Sequence, residues 1–200
     1  MYDVETGTQW IQATGQALHG ELERHALKTL PAEVTRLGAF RTGHPDARVL
    51  TGVRTNAPRG RIFLLDRDHL AELVLVGRVG AAVRAYPFEL LDRHGLIEDQ
   101  LDATPVAAVF SRDPDVMRLY QREAGGRPLA LDLVRREGAL VLRERGGARE
   151  WDAATGRALG DAAALPLEAF LAFPMVRERL RQHFRRATIW AEPQPKPPGR

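Results

Sequence analysis

Pro128-Leu-Ala-Leu-Asp-Leu-Val-Arg135 places leucines at 129, 131 and 133 and alternates them with Ala130, Asp132 and Val134. A period of two sends successive side chains to opposite faces of an extended strand, which is the pattern of a sheet with one buried face. Glu137-Gly138 has turn chemistry, and Ala139 to Arg143 reads as the next strand. Working back along the chain, Pro105 to Phe110 and Val116 to Arg122 read as strands, separated by Arg112-Asp-Pro114 and followed by Gly125-Gly126. Leu73 to Arg78 and Ala81 to Tyr86 flank Val79-Gly80 as a hairpin. The expected fold is mainly β, with antiparallel strands in a barrel-like or sandwich arrangement and two or three short helices.

A second pattern sets the organisation. Trp10-Ile-Gln-Ala-Thr-Gly-Gln-Ala-Leu18 returns as Trp151-Asp-Ala-Ala-Thr-Gly-Arg-Ala-Leu159, with tryptophan and Ala-Thr-Gly-x-Ala-Leu at the same spacing. This predicts two related units, the first incomplete. Residues 1–53 form the back part of the first unit, 54–72 connect, and 73–192 form the second, complete unit. The four prolines of 193–200 predict a disordered tail. A helix is expected from about Ala32 to Thr42, with Val34, Leu37 and Phe40 as its core stripe. A second is expected after Pro174, with Val176, Leu180 and Phe184 stacked along one face.

Composition narrows the chemistry. Apolar residues make up 44% of a 200-residue chain, enough for a sizeable core. There is no cysteine, which removes disulfides, thiol catalysis and thiolate metal sites together. Apolar runs such as Leu73-Val-Leu-Val76 fall far short of the roughly 20 residues that cross a bilayer as a helix. The start, Met1-Tyr-Asp-Val-Glu-Thr, has neither the basic nor the apolar region of a signal peptide, so the chain as written reads as cytoplasmic. The net charge is only +3, and Val176 to Arg186 carries five arginines against one glutamate. With an apolar stripe opposite those arginines and no interleaved aromatics, nucleic-acid binding is not expected.

The residues also resemble a known family, the bacterial and archaeal domain-of-unknown-function 3179 proteins. The resemblance is carried by Met1-Tyr-Asp-Val-Glu-Thr-Gly-Thr-Gln-Trp10, His44-Pro-Asp-Ala-Arg-Val-Leu50, Val79 to Phe88, Gly95-Leu-Ile-Glu-Asp99, Thr104-Pro-Val106 and Trp151 to Gly156. It implies no established activity. Family members place an Ala-Tyr-Pro segment and a Tyr-Cys-Pro-Leu-Cys-Gly run before the Met-Tyr-Asp phrase. On that resemblance Met1 is expected to be an internal methionine of a longer ancestral product, and an extracytoplasmic location becomes the alternative. Aligned without gaps on the cysteine run, Val106 to Asp115 puts Ser111 and Pro114 where cysteines would stand, so no thiol or metal role carries over.

Candidate functional residues are few. Ser111 is the only serine, lacks a Gly-x-Ser-x-Gly elbow, and suits turn capping before Arg112-Asp-Pro. The six histidines show no ligand spacing, so no metal site is expected, and Gly77-Arg-Val-Gly80 is not a dinucleotide fingerprint. Glu98, Asp99 and Asp102 cluster before a strand and could do acid–base work if their environments separate them. The family phrases run through Arg84, Tyr86 and Asp99, and through His44, which suits either helix capping or general-base duty. The expected function is a non-catalytic structural or binding module. The alternative is a small-ligand-binding protein or enzyme with a polar site around His44, Arg84 and Asp99. Self-association through an exposed sheet edge is a further expectation.

Overall fold

The computed structural model describes residues 1–30, 37–48, 67–112, 115–160 and 165–193. The chain is mainly β, in several sheets that do not close into a barrel among the described residues. β1 (Gln9–Trp10) and β2 (Ala17–His19) form an N-terminal hairpin, followed by α1 (Leu37–Gly43). β3 (Leu73–Val79) and β4 (Ala82–Pro87) pair antiparallel, and α2 (Phe88–His94) leads into β5 (Leu96–Leu101). β6 (Thr104–Arg112) and β7 (Asp115–Gln121) complete a three-stranded sheet with β5. The small β8 (Glu123–Ala124) and β9 (Arg127–Pro128) hairpin turns at Gly125-Gly126. β10 (Leu131–Arg136), β11 (Ala139–Glu144), β12 (Glu150–Asp152) and β13 (Ala158–Leu159) form an antiparallel meander. β14 (Leu171–Val176) adds to β3, and α3 (Leu180–His183) returns the chain to β15 (Thr188–Ile189), which lies parallel to β4.

The strands expected from alternation are present, and their turns follow from residue type. Arg136 faces Ala139 across Glu137-Gly138, both at positive φ, 50° and 84°. Two left-handed residues in a two-residue turn give the twist that antiparallel strands need.

Three layers of sheet stack, with β5–β7 in the middle. Val106, Ala108 and Phe110 of β6 pack with Leu75 of β3, Tyr86 of β4 and Phe88 and Leu91 of α2. Ala107 and Val109, on the other side of β6, pack with Leu131, Leu142 and Trp151 of the meander. The apolar run Leu73-Val-Leu-Val76 is divided in the same way. Leu73 and Leu75 enter the central core, whereas Val74 and Val76 meet Ala85, Leu180 and Phe184 in a third cluster. Strands covered on both faces carry continuous apolar runs.

Two helical expectations are corrected. Pro174 and Val176 lie inside β14, with Pro174 paired to Leu75, so the chain after Pro174 is extended. Only a 3-10 turn, Arg177–Arg179, and the four residues of α3 are helical, and Val176 is exposed rather than stacked on Leu180. Pro174 is tolerated because β14 is an edge strand. In α1, Leu37 is exposed and Phe40 half-buried, so no core stripe forms among the described residues. Val34 and the loop at 54–61 lie outside the described residues. Phe88–His94 is too short for periodicity to mark. Gly95, at φ 69°, ends it, its N–H bonding the Leu91 carbonyl.

The two tryptophan phrases make matching hydrogen bonds. The Ile11 N–H donates to the Gln16 carbonyl and the Asp152 N–H to the Arg157 carbonyl, each at 2.8 Å. The Gly15 N–H reaches the Ile11 carbonyl as the Gly156 N–H reaches the Asp152 carbonyl, and Trp10 faces Ala17 as Trp151 faces Ala158. Gly15 and Gly156 both sit at φ 73°, a conformation that favours glycine.

Candidate functional site

Alternation along β4 sends Arg84 and Tyr86 to one face, and β5 presents Asp99 opposite them. The Arg84 Nη1 donates to both oxygens of Asp99, at 2.8 and 2.7 Å, and the Tyr86 hydroxyl donates to Asp99 Oδ2 at 3.1 Å. β15, running parallel to β4, brings Thr188 alongside, and the Arg84 Nε donates to its Oγ1 at 3.1 Å. Tyr86 is fully buried. Burial, reinforced by the neighbouring Asp99 charge, pushes its phenol far above the usual range, so it stays a neutral donor. Among the described residues the Arg84 Nη2 has no protein acceptor.

Arg84 lines an open cleft of about 720 Å³. It is also lined by Thr14 and Gln16 of the N-terminal hairpin, by Asp102, and by His183, Arg185 and Arg186. Asp99 neutralises Arg84, so the excess positive charge comes from Arg185 and Arg186, facing the single carboxylate of Asp102.

The structure joins Arg84, Tyr86 and Asp99 in one group and leaves His44 out of its hydrogen bonds. The His44 N–H bonds the Phe40 carbonyl at 2.9 Å, and its ring packs on Phe40 with centroids 4.5 Å apart. Glu98 and Asp99 precede β6 as expected but themselves lie on a strand, β5, pointing apart as strand neighbours must. Glu98 Oε1 accepts the Leu131 N–H at 2.7 Å, with Arg122 and Arg145 each 3.7 Å away, so this carboxylate ties the middle sheet to the meander. Asp102 occupies the tight β5–β6 turn at φ 57°. Ser111 lies within β6 opposite Val116, not in a turn. Among the described residues no group of three or more His, Asp or Glu is placed to hold a metal, and no helix is long and apolar enough to cross a membrane.

The model of a family described as "Protein of unknown function (DUF3179)" matches residues 1–192. The chain belongs to the DUF3179 family. No curated protein and no solved structure matches it. Within this DUF3179 protein the family phrase Val79 to Phe88 builds the β4 half of the Arg84 group, and Gly95 to Asp99 brings in the carboxylate. Thr188, Arg185 and Arg186 were not singled out by sequence. Their arginines were visible as a basic run, but only the return of β15 beside β4 places them next to Arg84.

Proposed function

We propose that this DUF3179 chain is a non-catalytic binding module that holds a small anionic ligand, a carboxylate or a phosphate, in the cleft beside Arg84. The observation that carries this reading is the fixed guanidinium. Asp99 and Thr188 orient it, Tyr86 seals Asp99 from below, and its Nη2 remains available at a cleft that Arg185 and Arg186 make positive. A guanidinium held in place loses little entropy on binding, and its planar fork suits oxyanions. The tight neutral phenol and paired carboxylate favour positioning over proton transfer. We also infer two related units, 1–53 and 73–192 joined by 54–72, a reading supported by the matched hydrogen bonds of the tryptophan phrases.

Calorimetric titration of the whole chain with acetate, citrate and inorganic phosphate tests the site. Saturable binding is expected, weakening with added salt and falling at least ten-fold in the Arg185→Gln/Arg186→Gln double variant. Both side chains are exposed, so folding is not at stake. Absent binding, or binding indifferent to the double substitution, would overturn the reading.

A further inference from the structure

A second cleft, of about 680 Å³, is lined by other residues of the same hairpin turn. Gln12 and Ala13 of that turn, Leu30, and Leu171, Phe173 and Met175 of β14 line it. Apolar side chains make up most of its lining, with the polar Gln12 and Thr29 and the basic side chains of Arg179 and His183 among them. His183 lines both clefts, so they meet at this side chain.

Sheet register shows what lies between the two clefts. Across β14, β3 and β4 one row reads Leu171, Arg78, Val83. Leu171 lines the apolar cleft and Val83 the positive one, which puts Arg78 between them on the face it shares with Val74 and Val76. The Arg78 Nη1 is shut off from solvent and meets no hydrogen-bond acceptor among the described residues. Arg78 lines neither cleft, so this nitrogen marks the packed strip between them rather than a contact to a ligand.

We propose that the two clefts form one site for an amphipathic anion, with its charged head among Arg84, Arg185 and Arg186 and an unbranched aliphatic chain passing His183 into the Leu30–Met175 cleft. This rests on the anion-site reading and adds the ligand's apolar half. The occupant is a free monomeric ligand rather than a membrane surface, because the apolar side chains line a concavity in the 300–1,000 Å³ range of small-molecule sites. Arg179 in its lining favours an anionic over a cationic amphiphile.

The test is calorimetric titration with acetate, butyrate, hexanoate, octanoate and decanoate, and with matched alkyl phosphates and alkylammonium salts, all below micelle formation. Binding should tighten roughly four-fold per added methylene, the equivalent of about 0.8 kcal/mol for each buried CH₂. Alkylammonium salts should not bind. Leu30→Ser with Val176→Ser, both exposed positions, should abolish the chain-length dependence and leave acetate binding intact. Equal affinity for acetate and decanoate would overturn the proposal while the anion site stands. Chain-dependent binding that survives Arg185→Gln/Arg186→Gln would overturn the head-group assignment, and with it both readings. A failure of every probe to bind would do the same.

Discussion

The Trp10 and Trp151 hairpins share a phrase, a backbone hydrogen-bond pattern and a left-handed glycine, yet they are anchored differently. Trp151, 1% exposed, lies in the core between the meander and the middle sheet, and its Nε1 donates to the Leu165 carbonyl at 3.0 Å. Trp10, 6% exposed, belongs to none of the three core clusters. Its Nε1 donates to Asp3 Oδ2 at 2.9 Å, and Asp3 also accepts the Thr6 N–H at 2.7 Å. One phrase can thus close the same turn with a side-chain anchor at the surface or with a sheet beneath it. The turn is local chemistry, whereas depth of burial depends on what the rest of the chain supplies.

The largest effect that would sharpen this comparison comes from truncating the rings. Trp151→Ala should lower global stability by about 4 kcal/mol, the usual cost of emptying a large core site. Trp10→Ala should cost clearly less and should raise hydrogen exchange mainly in 1–30, since poorly buried hairpins open locally. Equal losses in denaturant titrations of the two variants would erase the distinction.

Next in size are the glycines. A Cβ on Gly156 would stand 2.8 Å from both the Leu167 carbonyl and the Tyr120 ring, whereas on Gly15 the nearest atom, the Leu27 carbonyl, is 3.1 Å away. Gly156→Ala should therefore cost about 3 kcal/mol, combining left-handed strain with overpacking. Gly15→Ala, with the strain but less crowding, should cost about 1–2 kcal/mol. Thermal melts read both, and a larger loss at Gly15 would contradict the packing account.

The smallest effect is a pH response confined to one hairpin's indole. The Thr6 backbone N–H, then the Thr6 hydroxyl and the Trp10 indole, hold the Asp3 carboxyl below its ordinary 3.8. A lowered folded-state value means that this stabilisation is present above pH 3.8 and is lost as pH falls through the lower folded value. The Trp10 indole N–H resonance should move in that acid range. That of Trp151, bonded to a carbonyl, should not follow Asp3. Glu144, 141 residues after Asp3, is held below its ordinary 4.5 chiefly by its hydrogen bond to Arg149; Arg149 lies over the Trp151 ring, but the indole N–H donates to the Leu165 carbonyl and not to Glu144. Acid shifts of equal size in both resonances would show that the anchors are not separable.

Much of the β framework was legible because alternation and turn residues act over a few neighbours. Leu129 to Val134, Glu137-Gly138 and Gly125-Gly126 needed no distant partner to be read correctly. The stretch after Pro174 misled because Val176, Leu180 and Phe184 fit helical spacing, yet pairing with β3 extends the chain through Val176. Arg84, Tyr86 and Asp99 were visible as a possible group, and their separation along the chain hid whether they would meet. His44 satisfied the same sequence criterion but makes no hydrogen bond to that group, its N–H closing the end of α1 on the Phe40 carbonyl.

By itself, then, the amino-acid order determined the mainly β character, the two turns that follow the tryptophans, and the absence of thiol chemistry. Each depends on local dihedral preference or on residue type alone. Tertiary structure decided which faces of β3 and β6 meet which sheet, that β15 returns in parallel beside β4, and that Arg84 ends between a half-buried carboxylate and a positive cleft. Those outcomes depend on contacts between residues distant in the chain, set by burying apolar faces against one another, and no short window of sequence contains both partners.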